Sequence, residues 1–507
     1  MSSLKLKLPG AIFFASNFYS LFTGLAFTVI VTRSLTVNEF GLWSMISQYI
    51  AYTAIPLSNI ASFWIVRYTA RGFKRAPSSG ILFATILSLI GLPLYSGVAL
   101  WANIAFSQPL FFIILATPQV ITYIFLGALS SIATGISPEQ IGISSVIFET
   151  SKVALAYLLV RLLSRGLEGA IISVILAQLI QLGYLLAIFR KSISRQLIDG
   201  SLTKKWLKLS WLPLYEFLSG IVSGLDAIVA RMISMTDALI GVRNIACIAG
   251  SFPHYTSSLT LSLYPRTLGT ADNQSWSRDV EEMLRFLSLI AIPITFGNIA
   301  LMDIILGIFG RSYVPVFAAA IVITIARLIN LVGYITDPVL RGSERIDIQE
   351  YANTKDYFRS TIFKLLTVNN LYSIIYVMAV AIALTFWGNN DIYTMALYWN
   401  LASFTCIPFL AYKVKMMRDI GVKTKFPTSN VIKYLVASMF MLAFVLILKN
   451  VLRQYFPGTV IGLILQAATL TILGALLYAA LVFIMDDYAR KVYREAVRSL
   501  SLKMSTK

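Results

Sequence analysis

Three basic residues lie inside long apolar stretches of the chain, where charges are rare. Lys152, Arg243 and Arg327 all have mainly apolar neighbours. A charge inside a membrane-like segment is costly and is by default a functional candidate. Arginine suits phosphate, because its planar guanidinium donates two parallel hydrogen bonds. We therefore expect these residues to bind an anion, above all Arg327, which lies about midway through its stretch.

Each of these cations also has a structural alternative. Glu149 precedes Lys152 by three residues, so both lie on one helix face. They form either a mutually neutralising pair that packs a helix or a cationic wall with its counter-ion. Arg243 lies near the end of its stretch, where its side chain can reach the interface. Arg327 can instead pair with an acid such as Asp303 to hold helices together.

The acidic residues in apolar stretches are fewer, and they suggest ion coupling. Asp226, Asp303 and Glu149 are the candidates for a proton or sodium site. A helix-packing ion pair is the alternative, and for Asp226 the partner would be Arg243. Arg33 and Arg231 lie at the ends of apolar stretches. Each can either anchor its helix at the membrane interface or contact the substrate.

Residue counts argue against an enzyme. The chain has one histidine, His254, and two cysteines, Cys247 and Cys406, both in apolar segments. These residues predict no hydrolytic triad, metal site, disulfide framework or cofactor. We interpret His254, which follows a proline in mid-segment, as a hydrogen-bonded packing residue rather than a titrating switch.

The elements that position these residues are predicted to be membrane-spanning helices. Hydrophobic residues make up 57% of the chain and charged residues 13%, against about 25% charged in soluble domains. No charge occurs between Ala76 and Pro138, a run long enough for two spans of about 20 residues each. The pattern predicts an all-α polytopic membrane protein with fourteen spans, at 11–32, 41–66, 80–104, 109–131, 141–160, 169–189, 209–230, 239–264, 286–309, 313–336, 365–387, 392–412, 431–448 and 459–485.

The distribution of basic residues predicts the orientation of these spans. With a cytoplasmic N-terminus, 32 of the 42 Lys and Arg fall on the cytoplasmic side, 7 on the other side and 3 within the membrane. This asymmetry follows the positive-inside rule and places both termini in the cytoplasm. It also explains the net charge of +19 through contact with membrane lipids rather than nucleic acid. We expect a multi-pass protein of the cytoplasmic membrane, acting as a monomer.

Two segments of the chain resemble each other at an offset of 197–198 residues. VTRSLTVNEFGLW at 31–43 matches VARMISMTDALIGV at 229–242, which aligns Arg33 with Arg231. The match predicts two pseudo-symmetric six-helix lobes related by an axis along the membrane normal. The predicted parts are a first lobe, a basic cytoplasmic linker, a second lobe, and two extra helices with a basic tail, at 1–189, 190–208, 209–413 and 414–507.

Five motifs resemble those of polysaccharide and oligosaccharidyl-lipid flippases, which belong to the multidrug/oligosaccharidyl-lipid/polysaccharide exporter superfamily. The similarity extends from residue 10 to about 485. The motifs are VTRSLTVNEFGLWSMISQY at 31–49, FWIVRYTAR at 63–71, GLEGAII at 166–172, LDAIVARMISMTDALIGVRNIA at 225–246 and ILGIFGRSYVPVFAAA at 305–320. The chain departs from the family at Val242 and Arg243, where a tyrosine usually follows the glycine.

This resemblance implies export of a lipid-linked oligosaccharide, carried on a polyprenyl or dolichyl phosphate or diphosphate, by alternating access. The substrate ligands would be Arg327, Lys152, Arg243, Arg33 and Arg231. The first alternative is an ion-coupled exporter of drugs or small molecules, although the first span lacks the acidic residue of cation-coupled multidrug exporters. A membrane-embedded glycosyltransferase or polymerase is a further alternative, but the longest internal loop, 341–364, shows no catalytic constellation.

Overall fold

All regular secondary structure that the computed structural model describes is helical. The structure describes residues 16, 19–20, 22–193, 197–262, 273–343, 358, 360–388, 391–492 and 494. A helix satisfies its backbone hydrogen bonds within one segment, as a chain in lipid requires. The predicted all-α polytopic fold is therefore confirmed.

Twelve helices within the described residues are long and apolar enough to cross a membrane. They coincide with twelve of the predicted spans, but the count of fourteen is not confirmed. The first and eighth predicted spans correspond to the shorter apolar helices Phe22–Ser34 and Ala238–Ala249, and part of the first lies outside the described residues. After Ala249 a 3-10 helix, Phe252–Ser262, replaces the α-helix. Pro253 explains this break, because it lacks a backbone donor and clashes with the preceding turn.

The chain divides into two compact units. The first comprises Met1–Val242 with Val380–Thr385, and the second Arg243–Ala379 with Phe386–Lys507. The first unit contains α1 (Phe22–Ser34), α2 (Val37–Ala70), α3 (Ala76–Phe106), α4 (Leu110–Leu115), α5 (Pro118–Ile136), α6 (Glu139–Ala156), the π-helix Tyr157–Leu162, α7 (Gly166–Phe189), α8 (Gly200–Lys208), α9 (Trp211–Ser234) and the start of α10 (Ala238–Ala249). The predicted lobe boundaries and their pseudo-symmetry stay predictions.

Helix α2 is central to the first unit and packs against α3, α5, α7 and α9. A capping box begins it: Thr36 accepts from the Glu39 amide, and the Glu39 carboxylate accepts from the Thr36 amide. Along its length, the Tyr52 hydroxyl donates to the Gly224 carbonyl of α9. The seventh predicted span, α9, is thus attached to the helices that precede it.

Helix α8 lies between the membrane-spanning helices α7 and α9 and begins at a side-chain cap. The Asp199 carboxylate accepts from the amides of Ser201 and Leu202. Hydrogen bonds from the Ser201 hydroxyl and from these amides hold the pKa of Asp199 below its usual value.

The second unit is built around the long helix α11 (Asn273–Phe309). It also contains α12 (Phe317–Gly342), α13 (Thr361–Trp387) apart from Val380–Thr385, α14 (Ile392–Leu401), α15 (Cys406–Asp419), α16 (Thr428–Leu452) and α17 (Val460–Met485), with 3-10 turns at Arg311–Val316, Ala402–Thr405 and Arg453–Tyr455. The last two helices, α16 and α17, pack on α11 through a buried apolar cluster that includes Ile292, Met441 and Leu470. They are therefore an integral part of this unit.

Candidate functional site

Lys152 and Glu149 form an ion pair in the middle of a span. The Lys152 Nζ lies 2.8 Å from the Glu149 Oε1, and the two side chains are only 13% and 11% exposed. The second carboxylate oxygen, Oε2, accepts a hydrogen bond of 2.9 Å from the Thr23 hydroxyl of α1. The i,i+3 pairing expected from the sequence is present, and Glu149 has a partner on each oxygen.

Two aromatic rings complete the surroundings of the Lys152 ammonium. Its Nζ lies 5.2 Å from the ring centroid of Phe27 and 4.9 Å from that of Phe148. Both distances are in the range of favourable cation–π contacts. The ammonium is thus held by one carboxylate and two ring faces.

A buried network joins the α9–α10 corner to the α3–α4 hairpin. The Arg231 Nε donates to the Asp237 Oδ1 at 2.6 Å, and these side chains are 7% and 8% exposed. The Arg231 Nη2 donates to the Phe106 carbonyl at 3.0 Å, and the guanidinium lies 5.0 Å from the Phe106 ring centroid. The charge of Arg231 is therefore buried and paired inside the protein.

Gln108 extends this network to α2. Its Nε2 donates to the same Asp237 Oδ1 at 2.6 Å, and its Oε1 accepts from the Tyr49 hydroxyl at 2.9 Å. The Asn103 side chain donates to the Gln108 carbonyl at 2.8 Å. The buried Gln108 thus forms hydrogen bonds through both side-chain amide atoms and through its backbone carbonyl.

Two glycines allow the first turns of α2 and α10 to pack closely. A Cβ added at Gly41 would lie 1.9 Å from the Asp237 carbonyl oxygen. One added at Gly241 would lie 2.9 Å from the Gly41 nitrogen and 2.9 Å from the Val37 carbonyl oxygen. Any side chain at Gly41 would force the Asp237 corner to move.

The two other candidates of the first unit differ in burial. Arg33 is exposed at the end of α1, and its interfacial position stays a prediction. Asp226 is buried on α9, with 5% of its surface exposed. The aligned residues Arg33 and Arg231 therefore lie in different environments.

In the second unit, Arg243 lies among aromatic and amide groups. Its Nη2 donates to the Tyr376 hydroxyl at 3.1 Å, and its Nε donates to the Asn400 Oδ1 at 3.4 Å. The guanidinium lies 4.6 Å from the Trp399 ring centroid, and the Trp399 indole N–H donates to the same Tyr376 hydroxyl at 3.3 Å. These partners are neutral and hold the guanidinium in a defined position.

Arg327 has a different environment, with one donor left over. It donates to the Tyr334 hydroxyl, seven residues further along α12, and Tyr334 also bonds the His254 Nδ1 at 2.9 Å. The buried Arg327 Nε has no hydrogen-bond partner among the described residues, and within them Arg327 forms no ion pair. Arg327 is thus a half-buried cation whose charge is not neutralised by the described part of the chain.

Asp303, the acid considered as a partner for Arg327, is paired elsewhere. The Lys449 Nζ of α16 lies 3.0 Å from the Asp303 Oδ1 and donates to the Ala300 carbonyl at 3.0 Å. The structural alternative for Arg327, an ion pair with Asp303, is therefore wrong. The fixed cation on α12 and the acid on α11 act separately.

Several residues of these sites were missed by the sequence analysis. Tyr334 follows Arg327 by seven residues, a spacing that places both on one helix face and that was available as a signal. No comparable signal exists for Thr23 beside Glu149, for Tyr376 beside Arg243, or for Lys449 beside Asp303. Each of these partners comes from a helix distant in sequence.

A second missed site is the buried Asp486 at the end of α17. Its carboxylate accepts from the Asn430 side chain at 2.9 Å, from the Tyr434 hydroxyl at 2.7 Å and from the Ala489 amide at 3.3 Å. The Lys433 Nζ lies 3.6 Å away. This carboxylate joins the end of α17 to the first turns of α16. Within the described residues, no group of three or more His, Cys, Asp or Glu could hold a metal ion.

Comparisons with solved structures identify the fold. A structure of the lipid II flippase MurJ in an inward closed conformation superposes with a TM-score of 0.62, at 13% identity, covering 96% of this chain and 100% of that chain. An inward-facing MATE-family multidrug resistance transporter of the MOP superfamily gives a TM-score of 0.57, at 12% identity over 79% of this chain and 95% of that one. An outward-facing MATE transporter of the same superfamily gives 0.52, at 13% identity over 83% and 96%.

These likenesses show the fold that the resemblance drawn from the five motifs implies. The chain has the fold of the MATE transporters and of the lipid II flippase MurJ. No protein-family model matches the sequence, and no curated protein sequence matches it.

Proposed function

We propose that this protein transports a lipid-linked oligosaccharide across the cytoplasmic membrane by alternating access, with both termini in the cytoplasm. The substrate class is a glycan on a polyprenyl or dolichyl phosphate or diphosphate. Arg327 is the main ligand of the phosphate, and Arg243 assists. The fold supports a membrane transporter, and the charges inside the spans support an anionic substrate.

The observation that carries this proposal is the unmatched charge of Arg327. Its span, Arg311–Gly342, is long and apolar enough to cross a membrane. A cation retained in such a helix is costly, and the expected structural partner, Asp303, is bound to Lys449 at 3.0 Å. The buried Nε has no hydrogen-bond partner among the described residues, so the guanidinium keeps an unused donor of the kind that binds phosphate oxygens.

The pairing of the acids favours an anion over a cationic drug. Of the predicted ion-coupling candidates, Glu149 is paired with Lys152 and Asp303 with Lys449. A cationic substrate would have to compete with a lysine for either carboxylate. An anion meets no such competitor at Arg327 within the described residues. This difference separates the glycan-lipid proposal from the drug-exporter alternative.

A fixed cation suits transport better than a tight binding site does. The substrate phosphate must leave water and pass a region where its charge is unfavourable. One guanidinium with a free donor offsets part of that cost, and the weak binding still permits release. The Tyr334 and His254 side chains would hold the guanidinium in place during this step.

The experiment is a glycan-lipid translocation assay in liposomes with purified Arg327→Ala, Arg327→Lys and wild-type protein. Arg327→Ala should lower the rate at least about tenfold, the equivalent of one lost charge-assisted hydrogen bond. Arg327→Lys should keep part of the rate, because the charge survives but the planar fork does not. The matched control is Arg311→Ala, an exposed arginine in the same span, which should leave the rate unchanged. A normal rate for folded Arg327→Ala would refute the phosphate role.

The orientation of the termini is tested separately. Single cysteines at Ser2 and Ser505 should react with a membrane-impermeant thiol reagent only after the cells are opened. Both positions lie outside the described residues. Labelling of either position on intact cells would contradict the proposed orientation.

A further inference from the structure

The Lys152–Glu149 pair lies at the centre of its membrane span. The span runs from Glu139 to Leu162, so Glu149 comes ten residues after its start and Lys152 ten residues before its end. Ten residues of helix measure about 15 Å, about half of the hydrocarbon thickness. Neither side chain can reach the interface from there, so the pair must be neutralised where it lies.

The groups around the ammonium form a cation site. They are the Glu149 carboxylate at 2.8 Å and the faces of Phe27 and Phe148 at 5.2 and 4.9 Å. The Thr23 hydroxyl donates to the other carboxylate oxygen and fixes its direction. One negative charge and two ring faces match a monovalent cation, and the ring faces favour an ammonium.

We propose that this is a monovalent cation site that the protein fills with its own Lys152 ammonium. Without the lysine side chain, the site would accept a free alkylammonium or alkali-metal cation. For transport, and resting on the proposed function above, the first unit then carries its counter-charge covalently and releases no ion here. Lys152 is on this view a built-in counter-ion to Glu149, neither a phosphate ligand nor part of an ion-coupling site.

The test is thermal unfolding of the purified full-length protein as a function of added cation. Wild type, Lys152→Ala and the neutral double variant Lys152→Ala/Glu149→Gln are compared in n-propylammonium, potassium, sodium or the bulky N-methylglucamine, at constant ionic strength. The Lys152→Ala change removes a propylammonium-sized group and leaves the carboxylate charged.

We expect the Tm of Lys152→Ala to be lowered in N-methylglucamine and to rise saturably with n-propylammonium. A rise of about 2.5 °C corresponds to a cation at about a hundred times its Kd. Wild type should not respond, because its site is filled. The double variant should not respond either, because its carboxylate charge is gone. Changing Phe148 to Leu in the Lys152→Ala protein should weaken the propylammonium response more than the sodium response.

Three outcomes would overturn the inference. The first is that no cation raises the Tm of Lys152→Ala above that in N-methylglucamine. The second is an equal rise in the double variant, which would be a general salt effect. The third is failure of Lys152→Ala to accumulate under any cation, whether or not the double variant accumulates, because a free cation would then not replace the lysine.

These melts involve no glycan, so they stand apart from the proposed function. If wild type moves no glycan-lipid in liposomes but the melts behave as expected, the function fails and the cation site stands. If wild type transports only when sodium or potassium is present and the melts do not respond, the site fails and the function stands.

Discussion

The buried pair of Arg231 and Asp237 gives the most quantitative prediction. In the wild type, the Asp237 Oδ1 accepts hydrogen bonds from Arg231 and from Gln108, at 2.6 Å each. Asp237→Asn removes the charge but keeps the side-chain shape and places an amide oxygen at the position of Oδ1. The guanidinium would remain 7% exposed with only the Phe106 carbonyl, the Phe106 ring and a neutral amide as partners. Leaving one member of a buried ion pair without its counter-charge costs about 3–5 kcal/mol.

We expect Asp237→Asn to lower the free energy of unfolding by about 3 kcal/mol, the low end of that range, because the amide oxygen can still accept hydrogen bonds. Asp237→Ala should cost about 5 kcal/mol, because both charge-assisted hydrogen bonds are also lost. The double variant Arg231→Met/Asp237→Leu should recover most of the loss, since no uncompensated charge remains.

The assay is equilibrium unfolding in mixed detergent micelles, followed by tryptophan fluorescence. The matched control is Glu168→Gln, whose partner Arg165 lies at 3.8 Å with side chains 62% and 33% exposed. An exposed pair of this kind is worth less than about 1 kcal/mol. The reasoning is refuted if Asp237→Asn costs no more than Glu168→Gln, or if the double variant is less stable than Asp237→Ala.

Three further predictions concern single positions. Gly41→Ala should destabilise the protein by about 2 kcal/mol or more, since its Cβ would lie 1.9 Å from a backbone oxygen. The control Gly97→Ala, where the added Cβ meets open space, should stabilise the protein by about 0.5–1 kcal/mol. Equal melting temperatures of the two variants would contradict the close packing at Gly41. Asp486→Ala should lower the free energy of unfolding by about 3 kcal/mol in the same assay, because it leaves three donors unpaired. The control Asp487→Ala, whose side chain is 94% exposed, should lower it by almost nothing. Similar losses in both variants would mean that the Asp486 carboxylate does not hold α16 and α17 together. The pKa of Asp199 is lowered in the folded protein, so its capping of α8 is complete above the unfolded pKa of about 3.9 and is lost as the pH falls through the lower folded pKa. Over that pH range, amide hydrogen exchange in the first turn of α8, corrected for intrinsic rates, should speed up in wild type but not in Asp199→Ala.

Local features of the chain were predictable because they depend on near neighbours. The Lys152–Glu149 pair follows from a spacing of three residues on a helix. Twelve of the spans follow from hydropathy. The eighth, 239–264, is not confirmed as one continuous α-helix, because a hydropathy window does not register the loss of helical hydrogen bonds around Pro253. Here the backbone, rather than the apolar content, ends the helix.

Partners from distant helices were not predictable. Asp303 pairs with Lys449, 146 residues further along, and Arg231 bonds the Phe106 carbonyl, 125 residues before it. The reach of Lys449 to Asp303 depends on how α16 packs against α11. Which acid neutralises which base depends on helix rotation and depth, and neither is encoded in a single segment.

The sequence by itself determined that this is an all-helical membrane protein with a few costly charges, because lipid leaves a chain no other way to satisfy its backbone. It also predicted that Arg327 lies about midway through its apolar stretch. Only the tertiary structure decided that Arg327 keeps an unpaired donor while Lys152, Arg231 and Lys449 are each neutralised by a carboxylate. The physical reason is that neutralisation acts over a few ångströms, and helix packing alone sets distances on that scale between separate segments.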